Sequence, residues 1–215
     1  MSMKGMQDTI AWYNKNAEMY VQVTAGRASA WQIQEFTDLL PEGAKVLDAG
    51  CGGGRDTKLL SEKKNISAVG LDLSEGLLNE CRKKFPELEF IHGNLLDLPF
   101  PDESFDGVWS SASLLHLDTV DDVKKALSEF YRVLKPKGAV FVLVKEQTGK
   151  EKTAVVEDTI PGQRRFFQYF TKEELNNLLT ETGFTVLVQK NYNDGETFKD
   201  GNSDVVWITA LGRKN

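Results

Sequence analysis

Val46-Leu47-Asp48-Ala49-Gly50-Cys51-Gly52-Gly53-Gly54 reads as a short apolar strand that ends in an acid and runs into a glycine-rich turn. Glycines at 50, 52, 53 and 54 let the backbone bend tightly and let a ligand approach its N–H groups. The helical stretch around Leu59 and Leu60 completes a strand–turn–helix unit, and the unit recurs downstream. Ala68-Val69-Gly70-Leu71-Asp72 is a second strand ending in an acid. Ser74 then caps a helix with Leu77, Leu78, Cys81 and Phe85 on one face. Leu88 to His92 and Phe105 to Ser110 predict the next two strands. The capping-box pattern Thr119-x-x-Asp122 opens a helix expected to bury Val120, Val123, Leu127, Phe130 and Leu134. Pro136-Lys137-Gly138 turns the chain into the strand Ala139 to Val144. Strands that are apolar along their whole length and alternate with helices imply a mostly parallel sheet covered on both faces. The fold class is α/β, doubly wound.

The flanks extend this pattern. Upstream, Ile10, Tyr13, Ala17 and Tyr20 recur at helical steps, and Trp31, Ile33, Phe36, Leu39 and Leu40 continue them until Pro41-Glu42-Gly43. Downstream, Thr171-x-x-Glu174 opens a helix that Gly183 ends. Phe184 to Val188 and Val205 to Leu211 supply two more strands, joined by a polar surface connection from Asn193 to Asp204. No repeat, low-complexity stretch or shift in composition divides the 215 residues, which predicts a single domain.

Composition narrows the function. Apolar residues make up 40% and charged residues 27%, as in a folded globular protein. The net charge of -6 works against non-specific attraction to a phosphate backbone. No apolar run approaches the roughly 20 residues that cross a bilayer, and Met1 to Met6 lack the apolar core of a secretion signal. Cys51 and Cys81 form neither a disulfide framework nor a metal-binding spacing. The expectation is a cytoplasmic protein with no metal and no membrane association.

In a sheet of this kind the ligand crevice lies beyond the carboxyl ends of the strands, where strand order reverses. Asp72, at the end of the second strand, is placed to accept hydrogen bonds from a ribose diol. A dinucleotide fingerprint from Gly50 requires glycine at 55, where this chain has Arg55, and from Gly52 it requires glycine at 57, where it has Thr57. The nicotinamide reading is therefore demoted.

At these residues the chain resembles the class I S-adenosylmethionine-dependent methyltransferases over nearly its full length. Val46 to Gly54 is similar to their first motif, which cradles the methionine part of the cofactor. Gly70-Leu71-Asp72-Leu73-Ser74 resembles the second-strand motif, whose acid holds the ribose. Gly93-Asn94-Leu95-Leu96-Asp97-Leu98-Pro99-Phe100 is similar to the segment that reads adenine, with Asn94 where the family usually has Asp. Phe105-Asp106-Gly107-Val108-Trp109, Leu114-Leu115-His116-Leu117 and Arg132 to Gly138 match the fourth-strand region and the turn before strand five. The N-terminal Tyr13-Asn14-Lys15-Asn16-Ala17-Glu18-Met19-Tyr20, the run Trp109 to Leu117 and the late Arg165-Phe166-Phe167 resemble a subgroup of small bacterial enzymes that includes tellurite-resistance-like members.

The resemblance implies a seven-stranded Rossmann-like sheet with an N-terminal helical lid over residues 1–42, a cofactor-binding core over 43–146, and a substrate-side segment with the last strands over 147–215. It implies S-adenosylmethionine as methyl donor, with S-adenosylhomocysteine as the spent form. The cofactor would be held by Asp48, Ala49, Gly50, Cys51, Gly52, Arg55, Asp72, Leu73, Asn94, Leu95, Leu96, Ser110 and Ser111, with Tyr20 reaching in from the lid. Asp48 is the candidate near the methionine ammonium and Asp72 the candidate for the ribose.

On the acceptor side, His116 follows the fourth strand near the expected crevice and is the candidate general base. A structural role competes, because positions like it are common in the family without being catalytic. His92 reads as structural. Arg164, Arg165, Phe167 and Tyr169 are candidates for a substrate wall, as against a solvated basic pair ahead of an apolar edge strand; Tyr13, Tyr20 and Trp31 are candidates for closing it. The acidic balance and the absence of an appended recognition module favour a small-molecule acceptor. A modified nucleoside of transfer RNA and a binding-only homologue are the alternatives.

Overall fold

In this computed structural model, which describes residues 5–27, 30–63, 65–157, 164–198 and 201–215, the apolar runs form one seven-stranded sheet. In chain order the strands are β1 (Lys45–Ala49), β2 (Ser67–Asp72), β3 (Glu89–His92), β4 (Phe105–Ser111), β5 (Leu134–Lys145), β6 (Thr153–Glu157), β7 (Arg164–Gln168), β8 (Phe184–Asn193) and β9 (Val206–Lys214). The order across the sheet is β3-β2-β1-β4-β5-β9-β8. β3, β2, β1, β4 and β5 run parallel, and β9 is antiparallel to both β5 and β8. The order reverses between β1 and β4, so the glycine turn opens at the switch point.

Helices α1 (Gly5–Thr24), α2 (Ala30–Thr37), α3 (Arg55–Ser61), α4 (Glu75–Lys84), α5 (Val120–Val133), α6 (Lys172–Glu181) and α7 (Asp194–Thr197) complete the framework. Successive strand residues feed opposite faces of the sheet. Leu47, Leu71, Val108 and Val140 pack with Leu127 and Phe130 of α5 and Leu175 of α6. Val46, Ala68, Trp109 and Phe141 pack with Ile33 and Phe36 of α2 and Leu60 of α3. Trp109 and Phe141 stack at 3.8 Å with Phe36 edge-on. Both faces are therefore dry, which explains why the strands read as unbroken apolar runs.

Several expectations change. Val120 is 48% exposed, because it is the first residue of α5 and precedes its buried stripe. Thr119 accepts the Asp122 N–H at 3.1 Å, but its own hydroxyl takes the Asp122 carboxylate, so the reciprocal half of that box is missing. Thr171 and Glu174 make both halves. β5 begins at Leu134; residues 135–138 bulge between the pairs Phe105–Leu134 and Gly107–Ala139, with Lys137 left-handed. β8 and β9 are longer than the sequence pattern implies, and α7 lies in their connection. Arg164 to Gln168, read as the approach to an edge strand, forms a two-stranded antiparallel ribbon with β6 apart from the main sheet.

α1 lies across the carboxyl end of the sheet. Asn14 Oδ1 accepts the Gly76 N–H at 2.9 Å and the Ser74 hydroxyl at 2.8 Å, pinning α1 to the start of α4. On its other side the Phe166 N–H donates to Thr9 Oγ1 at 3.1 Å and the Met6 N–H to Asp118. Among the described residues no helix is long and apolar enough to cross a membrane.

Candidate functional site

The glycine turn is held from below. The N–H groups of Gly50 and Cys51 both donate to the Leu71 carbonyl, at 2.8 and 2.9 Å, which ties the end of β1 to the end of β2. Gly50 has φ +84, and a Cβ there would lie 2.3 Å from the Ser113 Cβ. Ser113 is locked in place, donating to the Ala49 carbonyl at 2.8 Å and meeting the Ser110 hydroxyl at 2.7 Å. Asp72 Oδ2 accepts the Gly52 N–H at 2.9 Å and Oδ1 the Ser74 N–H at 2.8 Å.

Beneath the turn lies a buried polar cluster. Asp48 is 1% exposed and accepts the Thr57 hydroxyl at 2.6 Å. Burial, reinforced by the neighbouring Asp56, pushes its carboxyl up to about 8. Asp56 is held by Arg55 Nε at 2.7 Å and by the Trp109 indole N–H at 3.2 Å. Arg55 also donates to the Thr24 carbonyl at the end of α1. Burial raises Asp72 as well, against the lowering effect of the N–H groups it accepts. Burial and the adjacent Cys81 thiol push the Cys51 thiol well up, so it is a packing group and not a nucleophile.

A cavity of about 410 Å³ runs from this cluster to the far side of the sheet. Tyr20, Asp48, Gly50, Cys51, Gly52, Arg55, Asp72, Leu73, Asn94, Leu95 and Ser111 line it. Ala49, Leu96 and Ser110 are not on its wall; they hold the turn, the Asn94 side chain and Ser113 from behind. The Asn94 amide oxygen accepts the Leu96 N–H at 2.9 Å, so it shapes its own loop. His92 lies outside and contacts the Leu73 carbonyl.

α1 meets β7 and the segment after β4 through one hydrogen-bonded chain. Arg165 donates to the Tyr13 hydroxyl at 2.8 Å, that hydroxyl lies 3.4 Å from His116 Nε2, and His116 Nδ1 is 2.7 Å from the Phe166 carbonyl. A carbonyl only accepts, so Nδ1 carries a proton. Burial, with Tyr20 next to it, raises the Tyr13 phenol, which stays neutral. Tyr13, His116 and Arg165 thus come together on the cavity wall. Two other substrate candidates do not. Trp31 is 39% exposed and packs edge-on against Tyr192, because it sits on the outer face of α2. Tyr169 packs against the core and donates its N–H to Lys152. The Arg164 side chain lies outside the described residues.

Residues the sequence did not flag also line the cavity. Gln32 is 1% exposed, and its Nε2 has no hydrogen-bond partner among the described residues. Arg27, Lys145, Asp194, Phe198 and Trp207 line its other end, beside the expected wall residue Phe167. Asp194 accepts the Trp207 indole N–H at 2.9 Å and the Asn202 N–H at 3.0 Å, and lies 3.5 Å from Arg27.

Comparison with known proteins agrees with this geometry. Residues 47–142 match the family model described as a methyltransferase domain. A demethylmenaquinone methyltransferase of Lysinibacillus sphaericus is 37% identical over 135 residues, which is 60% of this chain and 52% of that protein. An Arabidopsis thaliana tRNA (carboxymethyluridine(34)-5-O)-methyltransferase is 36% identical over 119 residues, 55% of this chain and 28% of that one. A protein of Encephalitozoon cuniculi that bears a methyltransferase name is 33% identical over 155 residues, 66% of this chain and 70% of its own length. The chain thus spans about half, or less, of the first two relatives. In fold it is similar to the Burkholderia thailandensis 1,6-didemethyltoxoflavin-N1-methyltransferase, solved with 1,6-didemethyltoxoflavin and S-adenosylhomocysteine. The TM-score is 0.75 at 20% identity, covering 96% of this chain and 87% of that one.

Proposed function

Because this chain belongs to the class I S-adenosylmethionine-dependent methyltransferases, we propose that residues 1–215 form one domain that methylates a small-molecule acceptor. The observation that carries this reading is the single cavity that joins the glycine turn to the chamber around His116, Lys145 and Arg165. At about 410 Å³ it has the size of one small-molecule site, and it must hold both reactants.

The residues present fit the cofactor. The left-handed Gly50 packs its backbone on Ser113, and at Gly52 a Cβ would have only the Tyr20 ring within 4 Å, so the turn is open to a ligand on the Gly52 side. Asp48 suits an ammonium, and the carboxylate of Asp72 suits a ribose diol. The orphaned Gln32 Nε2 is a buried donor that the carboxylate of the methionine end would satisfy, with Arg55 as a second donor to the same carboxylate. Bound S-adenosylmethionine contributes a methyl carbon made electrophilic by its sulfonium. The protein's task is then alignment. Holding reacting atoms about 3–3.5 Å apart is worth roughly 7–11 kcal/mol. The Tyr13–Arg165 contact ties α1 to β7 at the wall of the chamber.

Methylation of a transfer-RNA nucleoside is the second reading, supported by the Arabidopsis relative. The net charge of -6 favours the small acceptor. Two buried free thiols suit a reducing cytoplasm. Calorimetry with S-adenosylhomocysteine and with a nicotinamide dinucleotide tests the donor site, and only the former should bind. Labelled methyl groups supplied to cell extract should then appear in the low-molecular-weight fraction. Label recovered only in RNA supports the second reading, and no transfer to any component supports a binding-only homologue.

A further inference from the structure

We propose that Asn14 of α1 is a positioning residue for the cofactor's ribose, setting the carboxylate of Asp72 through Ser74, so that α1 and the ribose acid work as one unit. The inference deepens the reading of the cavity as a methyl-transfer site and rests on Asp72 as the group that meets the ribose diol. Two separate observations carry it: an unbroken run of hydrogen bonds from α1 to the acid, and a glycine in α4 that lets α1 come close enough to complete it.

The run begins at Asn14 Oδ1, which accepts the Ser74 hydroxyl at 2.8 Å and the Gly76 N–H at 2.9 Å. With its proton given to Asn14, the Ser74 oxygen turns a lone pair to the Leu77 N–H, 3.3 Å away, and caps α4. The Ser74 N–H then donates to Asp72 Oδ1 at 2.8 Å. Ser74 is fully buried, so removing its partner on α1 leaves a hydroxyl unsatisfied inside the protein. The other oxygen of Asp72 takes the Gly52 N–H at 2.9 Å. The carboxylate is thus held by two struts, one from the glycine turn and one from the start of α4, and α1 braces the second. Each carboxylate oxygen has a further lone pair, which a ribose hydroxyl can use without displacing either strut.

Gly76 shows what this arrangement requires of the sequence. Glycine is a poorer helix former than alanine, yet it occupies the second position of α4. A Cβ there would lie 2.7 Å from both the Cα and the carbonyl oxygen of Asn14. Those are backbone atoms, which cannot turn aside as a side chain can. Alanine would favour α4 and push α1 off its start. Gly76 gives up helix propensity and lets the two backbones touch where Asn14 reaches Ser74. The amide acts through its oxygen alone, since Asn14 Nδ2 has no hydrogen-bond partner among the described residues.

The test uses the full chain and two ligands, S-adenosylhomocysteine and its 2′,3′-dideoxy analogue, which differ only in the ribose hydroxyls. Calorimetry on the unaltered protein should find the analogue at least about tenfold weaker. Asn14→Ala should weaken S-adenosylhomocysteine about fivefold and leave the analogue unchanged, which narrows the gap. Asn14→Asp keeps an oxygen for both donors and should restore it. Gly76→Ala removes the close approach by another route and should narrow the gap as well. It carries the same comparison if circular dichroism shows that Asn14→Ala does not fold. Equal loss for both ligands, no loss for either, or failure of Asn14→Asp to restore the gap reduces Asn14 to a packing contact and overturns the inference. Equal binding of the two ligands to the unaltered protein removes Asp72 from the ribose and the inference with it, while the donor site stands. Failure to bind S-adenosylhomocysteine overturns the donor site too.

Discussion

Asp72 accepts the backbone N–H of Gly52 at 2.9 Å, so the acid expected to hold a ribose is also a strut of the glycine turn. Its other oxygen takes the Ser74 N–H, the residue that caps α4. Asp72→Asn leaves one oxygen for two donors and turns an amide N–H toward one of them. The expected cost is about 2 kcal/mol in the ligand-free protein, read as a lowered Tm, in addition to weaker S-adenosylhomocysteine binding. An unchanged Tm with weakened binding would reduce Asp72 to a ligand contact alone.

Asp48 makes cofactor binding dependent on pH. With its carboxyl pushed up to about 8, it is mostly protonated in the ligand-free protein at neutral pH. Docking an ammonium beside it favours the carboxylate, so binding near pH 7 should release a proton. Calorimetry in buffers of differing ionisation enthalpy should detect this release, see it fade above pH 8, and find it missing in Asp48→Asn. The sign for stability follows from the same shift. A carboxyl raised on folding favours the folded state at low pH, and that contribution is lost as pH climbs from the ordinary aspartate value of 3.8 through about 8.

Two neighbouring glycines should respond differently to alanine. At Gly50 the backbone is left-handed and a Cβ meets the locked Ser113 at 2.3 Å. Gly50→Ala should cost at least about 1–2 kcal/mol from the backbone alone and abolish cofactor binding. At Gly53 a Cβ meets the end of the Val21 side chain, 2.8 Å away on the lid helix. Gly53→Ala should fold and bind, with the loss confined to a small shift of α1. Thermal melts and calorimetry on the pair check both.

Gln32 gives a prediction that separates a ligand contact from a packing role. Gln32→Leu should weaken S-adenosylhomocysteine about tenfold and leave 5′-methylthioadenosine, which lacks the amino-acid end, unchanged. Equal losses for both ligands would mean that Gln32 shapes α2 and nothing more.

The cofactor half was legible because its signals are local. Asp48, Gly50, Gly52 and Asp72 lie at strand ends whose apolar runs are hard to misread, and the contacts of Gly50, Gly52 and Asp72 join the ends of two adjacent parallel strands. The acceptor half depends on contacts between distant elements. Lys145 reads as a charged residue just past an apolar strand, Trp207 as one more apolar position, and Gln32 as a polar interruption in an amphipathic helix. Only the crossing of α2, β5 and β9 puts them on one wall. The β6–β7 ribbon escaped notice because Thr153 to Glu157 lacks a strong pattern of its own; it is held by pairing with Arg164 to Gln168. Trp31 misled because helical spacing places it one step from the buried Gln32 and Ile33, on the outer face.

The chain that runs from Arg165 through Tyr13 to His116 joins residues 152 positions apart, and the Thr9–Phe166 bond joins residues 157 apart. During synthesis α1 is made long before the ribbon it grips, and closing so large a loop is a late and entropically costly event. The parallel core can assemble first, around nearer neighbours in the chain. The order of folding then matches the order of use: the donor's seat is finished before the door over the acceptor has anything to latch onto.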